Sequence, residues 1–277
     1  MILVLNTRSI VNASIFTLLL MLFSQLVFAK ANEFPGRKLY PAVKYIELKD
    51  LKKALPESIV VDVRSAYEYE TLRVKGALNI SISSKTYVDK MRKLRADNPT
   101  KKIFVYCNGK TCMKSYKAVM KCRRNGIKDI ISFDAGIMDW AKAYPKNAVL
   151  LGKSPVDTNK IISKKRFKSK LVTPDVFESL VSDKTAIVID LRDRFQREAT
   201  GIFSGLEERV YLDDKKSLEM YVKKANKEGK TLLIYDAAGK QVRWLMYYLE
   251  DKNTKSYKFM KGGAHAYFKA LRSKFTK

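Results

Sequence analysis

The stretch YCNGKTCMKS (Tyr106–Ser115) sets two cysteines five positions apart around a glycine and a lysine. The rest of the chain offers one more cysteine, Cys122, and one histidine, His265. Two thiols in a short basic loop suit a metal site, a disulfide or a thiolate nucleophile. A metal wants four ligands, and this pair has no third cysteine or histidine at ligand spacing. Cys122, ten residues past Cys112 on a helical pattern, reads as a small buried hydrophobe. A structural bridge over so short an interval would stabilise little, because the benefit grows with loop length. A bridge that forms and breaks in a redox cycle stays open.

The nucleophile reading draws on the flanking sequence. An apolar run ends at Tyr106 and a helical pattern begins near Cys112, so Cys107 sits where strand gives way to helix. Such a turn aims N–H groups into its concavity, and the helix N-terminus adds partial positive charge. A thiolate held there should have a lowered pKa. Gly109 permits a tightly approaching backbone. The backbone of Asn108, Gly109, Lys110, Thr111, Cys112 and Met113 would form an anion cradle, with Lys110 and then Lys114 supplying substrate charge.

The elements that position this loop occur twice. SIVVDVRSAYEYE (Ser58–Glu70) returns as AIVIDLRDRFQRE (Ala186–Glu198), and the loop region returns as KTLLIYDAAGKQVRWLMYYL. FDAGIMDWAKAYP returns as FMKGGAHAYFKAL. Asp62 and Asp190 are 128 apart, Cys107 and Asp236 129, Gly136 and Gly263 127. Offsets this constant imply two homologous domains. Short apolar, β-branched runs at Ile59–Val63, Ile103–Tyr106, Ile187–Leu191 and Leu232–Tyr235 suit buried parallel strands. Helical patterns follow at Tyr87–Arg95, Cys112–Arg124 (closed by Gly126), Leu218–Lys227 and Val242–Leu249. The fold class is therefore α/β: two doubly wound domains, each a mostly parallel sheet flanked by helices, with sites at strand carboxyl ends. The expected division is a signal peptide at 1–29, a first domain at 38–150, a lysine-rich linker at 151–170 and a second domain at 171–277.

With 277 residues and an apolar fraction of 46%, the chain can bury real cores, which excludes a disordered protein. The net charge of +27 fits an acidic protein partner or a lysine-rich composition spread along the chain. It comes without a nucleic-acid-binding signature, so no nucleic acid is expected. At the N-terminus Arg8 precedes an apolar run from Ile15 to Phe28, ending in Val27-Phe28-Ala29. This reads as an export signal cut after Ala29 or Ala31, placing the protein in the periplasm or otherwise outside the cytoplasm; an uncleaved membrane anchor is the alternative.

In order along the chain, these motifs resemble a tandem rhodanese-domain protein. The resemblance runs through VVDVR with Asp62 and Arg64, then Glu68-Tyr69, then Gly76-Ala77-x-Asn79-Ile80. It continues through the Cys107 loop and closes on Gly136 and Trp140 of DAGIMDW. It implies sulfur transfer: Cys107 takes sulfane sulfur from a small donor such as thiosulfate or a persulfide and passes it to a thiol or cyanide acceptor. It implies no cofactor and no metal. Asp62 and Arg64 then support the loop base by an ion pair or hydrogen bonds.

Three departures from that family accompany the resemblance. Ser115 stands eight residues after Cys107 instead of six, as in the wider loops of related phosphatases, but those need an arginine where this loop has lysine. Cys112 lies inside the loop as a candidate resolving thiol. The second copy has Asp236 at the nucleophile position, so that domain is expected to be silent, a scaffold, lid or docking surface; His265 reads as a surface or packing residue. A non-catalytic docking module for an acidic partner and a Cys107/Cys112 redox protein are the alternatives to the transferase.

Overall fold

The computed structural model describes residues 34–182, 185–192 and 201–276. The proposed export signal lies outside them. The strands are β1 (Ser58–Asp62), β2 (Leu72–Val74), β3 (Leu78–Asn79), β4 (Lys102–Tyr106), β5 (Ile130–Phe133), β6 (Ala148–Leu150), β7 (Leu171–Val172), β8 (Ala186–Asp190), β9 (Glu207–Arg209), β10 (Thr231–Tyr235) and β11 (Tyr257–Met260). The chain divides into two compact units: one runs to Ser65 and resumes at Arg73–Asn147, the other joins Ala66–Leu72 to Ala148 and beyond.

The first unit holds a parallel sheet in the order β3-β1-β4-β5, with Tyr45 bridging in parallel to Ser132 on the outer side of β5. The second holds a parallel sheet in the order β7-β11-β10-β8-β9. Position by position these are one topology, with β1 matching β8, β4 matching β10 and the Tyr45 bridge standing where β7 stands. The registers agree as well, since Asp62 lies opposite Tyr106 and Asp190 opposite Tyr235. The β-branched runs give strands because both sheet faces are covered: Val61, Ile103 and Val105 are buried in the first core, Val188, Leu233 and Tyr235 in the second.

The helix patterns hold with shifted ends. The helix Tyr87–Asp97 buries Tyr87 and Met91. The loop helix runs Lys114–Arg124, ends in basic residues and is followed by Gly126 at φ +74°, which the left-handed step after the helix requires. It starts two residues later than the pattern suggested. The Cys112 N–H bonds back to the Gly109 carbonyl at 2.8 Å, and this tight turn holds Cys112 and Met113 in the loop. In the second unit the corresponding helices are Lys215–Glu228 and Val242–Asp251.

Two stretches differ from the sequence reading. Ala66–Thr71, expected in the first domain, belongs to the second compact unit, where it packs on the helix Val242–Asp251. The stretch 151–170, read as a linker, carries buried Val156, Ile161 and Ile162, and the Ile162 N–H donates to the Tyr247 hydroxyl at 3.1 Å. Its apolar residues are too scattered to show a period, yet these three are buried.

Candidate active site

Cys107 follows β4 directly and is wholly buried. Its Sγ donates to the Cys112 carbonyl oxygen at 3.2 Å and to the Ser115 hydroxyl at 3.7 Å. Cys112 is half-buried, as are Asn108, Gly109, Lys110, Met113 and Lys114, while Thr111 is exposed. All three cysteines of the chain are free thiols. The loop is closed from behind by the start of the helix Gly136–Ala143: Ile137 N–H donates to the Cys107 carbonyl at 3.0 Å and Met138 N–H to that of Asn108 at 3.3 Å. Gly136 makes this approach possible. At φ +67° it is left-handed, and a Cβ there would stand 2.5 Å from the Gly109 nitrogen.

Asp62 ends β1, and Arg64 follows two residues later beneath the loop. Arg64 is fully buried and grips Asp62 through two nitrogens, Nε to Oδ1 at 2.9 Å and Nη2 to Oδ2 at 2.6 Å. Its remaining arm, Nη1, donates to Oδ1 of Asn108 at 3.1 Å. The pair thus anchors the residue next to Cys107. Asn79 ties the same base from the other side, donating to the carbonyls of Asp62 and Arg64 at 3.1 and 3.2 Å. Trp140, buried at the end of the signature begun by Gly136, donates its indole N–H to Asn147 at 2.8 Å.

The electrostatics correct one expectation. Cys107, not Cys112, was expected to be the acidic thiol. Burial instead pushes the Cys107 thiol well above its ordinary value, and its hydrogen bond with Cys112 adds to this. Cys112 is drawn down to about 6, first by the hydrogen bond with Cys107, then by the backbone N–H groups of Lys114 and Asn108 and the charge of Lys114, against the effect of burial. The N–H groups of the turn do stabilise a thiolate, but mainly on the more accessible sulfur. Lys110, the first candidate for substrate charge, pairs with Asp139 at 3.3 Å and lies 5.2 Å from the Phe34 ring.

Sequence reasoning missed Asp139 and a partly buried network around Asp134. Arg37 donates to Asp134 at 2.8 Å and to Glu47 at 2.9 Å, and the Tyr116 hydroxyl donates to Asp134 at 2.6 Å. Asp134 stands two residues before Gly136, so its acidity inside an otherwise apolar turn was the available signal.

The second unit has a similar frame around a different centre. Arg192 pairs with Asp190 at 2.9 Å. Ala264 and His265 N–H groups donate to the carbonyls of Asp236 and Ala237, the contacts that Ile137 and Met138 make in the first copy. The Asp236 carboxylate sits in the cradle itself, accepting from the backbone N–H groups of Ala238, Gly239, Gln241 and Val242. The side chain supplies the anion that the cradle is shaped to hold. His265 is exposed, in the first turn of the helix Gly263–Phe275.

Residues 46–143 match the family model of the rhodanese-like domain. Among curated proteins the chain is similar to the tRNA uridine(34) hydroxylase of Bdellovibrio bacteriovorus, 26% identical over 101 residues, or 36% of this chain and 28% of that protein. The protein of that name from Shouchella clausii is 26% identical over 40% of this chain and 33% of its own length. The matched stretch thus spans about a third or less of these relatives. Among solved structures, the rhodanese-like domain of an Anabaena protein is 22% identical over 40% of this chain and 83% of its own, with a TM-score of 0.34. A thiosulfate sulfurtransferase from Pseudomonas aeruginosa is 15% identical over 83% of this chain and 43% of its own, with a TM-score of 0.35.

Proposed function

We propose that the chain is a sulfurtransferase or persulfide carrier that moves sulfane sulfur through Cys107, within the rhodanese-like domain that residues 46–143 match. The observation that carries this reading is a buried cysteine at the carboxyl end of a central parallel strand, in a loop that sets its sulfur 3.7 Å from the Ser115 hydroxyl in the first turn of the helix Lys114–Arg124. Cys107 rests as a thiol beside the more acidic Cys112, which takes up its proton on activation. A proton passed to the Cys112 thiolate leaves the negative charge on Cys107, where the Ser115 N–H supports it.

The turn Gly109–Cys112 swings aside to admit a donor such as thiosulfate. Cys107 sulfur attacks the outer sulfur, the S–S bond breaks, sulfite leaves and the persulfide remains in the cradle. A thiol or cyanide acceptor then takes that sulfur and returns the Cys107 thiolate. Lys114 is the cation beside the anionic donor, and Lys110 joins it when it parts from Asp139. The second copy, its cradle filled by Asp236, serves as scaffold or docking surface. Export completes the reading, supported by the apolar run after Arg8. The hydroxylase named in the relatives belongs to proteins of which only about a third or less is shared.

A thiosulfate:cyanide assay on the full chain tests this. We expect turnover in the wild type and a loss of at least about a hundredfold in Cys107→Ser, since a serine hydroxyl cannot hold sulfane sulfur. Cys112→Ser should keep turnover at a reduced rate. No turnover in the wild type would overturn the reading and favour a docking module.

A further inference from the structure

The two loop sulfurs differ in access. Cys107 is sealed beneath the turn, while Cys112 stands on the rim, half-buried, with the start of the helix Lys114–Arg124 behind it. The tight Gly109–Cys112 turn folds the chain back so that the Cys107 Sγ lies 3.2 Å from the Cys112 carbonyl oxygen, which brings the two cysteines side by side. A reactant too large for the closed loop therefore meets Cys112 first. We infer that the loop is also a dithiol–disulfide exchange couple, in which Cys112 attacks a small anionic disulfide and Cys107 resolves the mixed disulfide. Neither the sulfurtransferase reading nor the relatives assign this activity. It uses the same loop but no sulfane sulfur, so it can stand where sulfur transfer fails.

The chemistry closes. The Cys112 thiolate attacks one sulfur of the disulfide, the substrate S–S bond breaks and one thiolate leaves. Cys107 gives its proton to that thiolate, and its sulfur attacks the Cys112 sulfur. The bond from Cys112 to the second half of the substrate breaks, a second thiolate leaves, and a Cys107–Cys112 disulfide remains. The substrate has gained two electrons and the protein pair has lost two; a low-molecular-weight thiol reductant restores the dithiol. The acidity of Cys112 keeps the attacking sulfur ionised at neutral pH, and the high value of Cys107 keeps the resolving thiol protonated until the first bond has formed. Lys114 and the helix N-terminus favour a substrate with negative charge.

The test mixes the reduced full chain, carrying Cys122→Ala to silence the core thiol, with 5,5′-dithiobis(2-nitrobenzoate) at neutral pH. The parent should release two equivalents of coloured thiolate in a fast phase and keep no adduct. Cys107→Ser should release one and retain an adduct on Cys112, located by peptide mass. Cys112→Ser should lose the fast phase, slowing by at least about tenfold. The dication cystamine should react at least about tenfold more slowly than the anionic probe. Early-quenched parent protein gives the adduct position even where a variant fails to fold. An adduct found first on Cys107, a fast phase that survives Cys112→Ser, a parent that stops at one equivalent, or cystamine reacting as fast as the anionic probe would each overturn the inference.

Discussion

At the residue scale, the site rests on where one proton sits between two sulfurs. Ordinary cysteine thiols ionise near 8.5. Cys112 is brought to about 6 by Cys107, by the N–H groups of Lys114 and Asn108 and by the Lys114 charge. The sign is plain: a lowered value means thiolate above pH 6 and thiol below it. Iodoacetamide should modify Cys112 at a rate that climbs through about pH 6 and levels off by neutrality. In Cys107→Ala the hydrogen-bond donor is gone, and the midpoint should move up. A midpoint near that of a free thiol in the parent would refute this account. The sequence showed which atoms were present, Cys107 and Cys112 with Gly109 between them, but not which sulfur would be acidic. That depends on which of the two lies deeper, and burial is a tertiary quantity that spacing alone does not encode.

At the element scale, the loop is held by the meeting of two helix starts. Ile137 and Met138 grip the backbone of Cys107 and Asn108, and only a glycine before them lets the chains approach so closely. Gly136→Ala would force a Cβ to within 2.5 Å of the Gly109 nitrogen at a left-handed φ. The loop must shift, and a displacement of that order costs about a hundredfold in rate when reacting groups are misplaced. We expect kcat/KM for sulfur transfer to fall by about that factor, with ~1–3 kcal/mol of stability lost to backbone strain. Gly263→Ala should cost similar stability but leave transfer intact, because Gly263 backs the Asp236 cradle. Equal loss of transfer in both variants would argue against the division of labour. Gly136 and Trp140 were legible as a signature, as were Asp62 and Arg64. Asp134 with Arg37 and Tyr116 was not, because a buried ion pair between residues 97 apart leaves no local pattern.

At the scale of the whole molecule, the two sheets share a strand order, β3-β1-β4-β5 in one and β9-β8-β10-β11 in the other, which is the arrangement expected from the repeat offsets. The segment Ala66–Thr71 was misplaced by the same reasoning: sequence order assigns it to the first copy, whereas its packing partner is the helix Val242–Asp251. The two cradles hold different groups. Where the first cradle surrounds sulfur, the second surrounds the Asp236 carboxylate with four backbone donors. Hydrogen bonds to a charged acceptor are worth about 1.5–3 kcal/mol each against an unmade bond, although water reaching the vacated cradle recovers part of that. Asp236→Ala should therefore destabilise the second unit by about 2–4 kcal/mol. The chain has two tryptophans, Trp140 in the first unit and Trp244 in the second, so each unit carries its own reporter. In a Trp140→Phe background, denaturant unfolding followed at Trp244 should shift to lower midpoint on Asp236→Ala, while thiosulfate:cyanide turnover stays within about twofold, as expected for residues that act independently. If turnover fell in step with the Trp244 transition, the second unit would be part of the catalytic machinery, and its built-in anion would need a role beyond filling its own cradle.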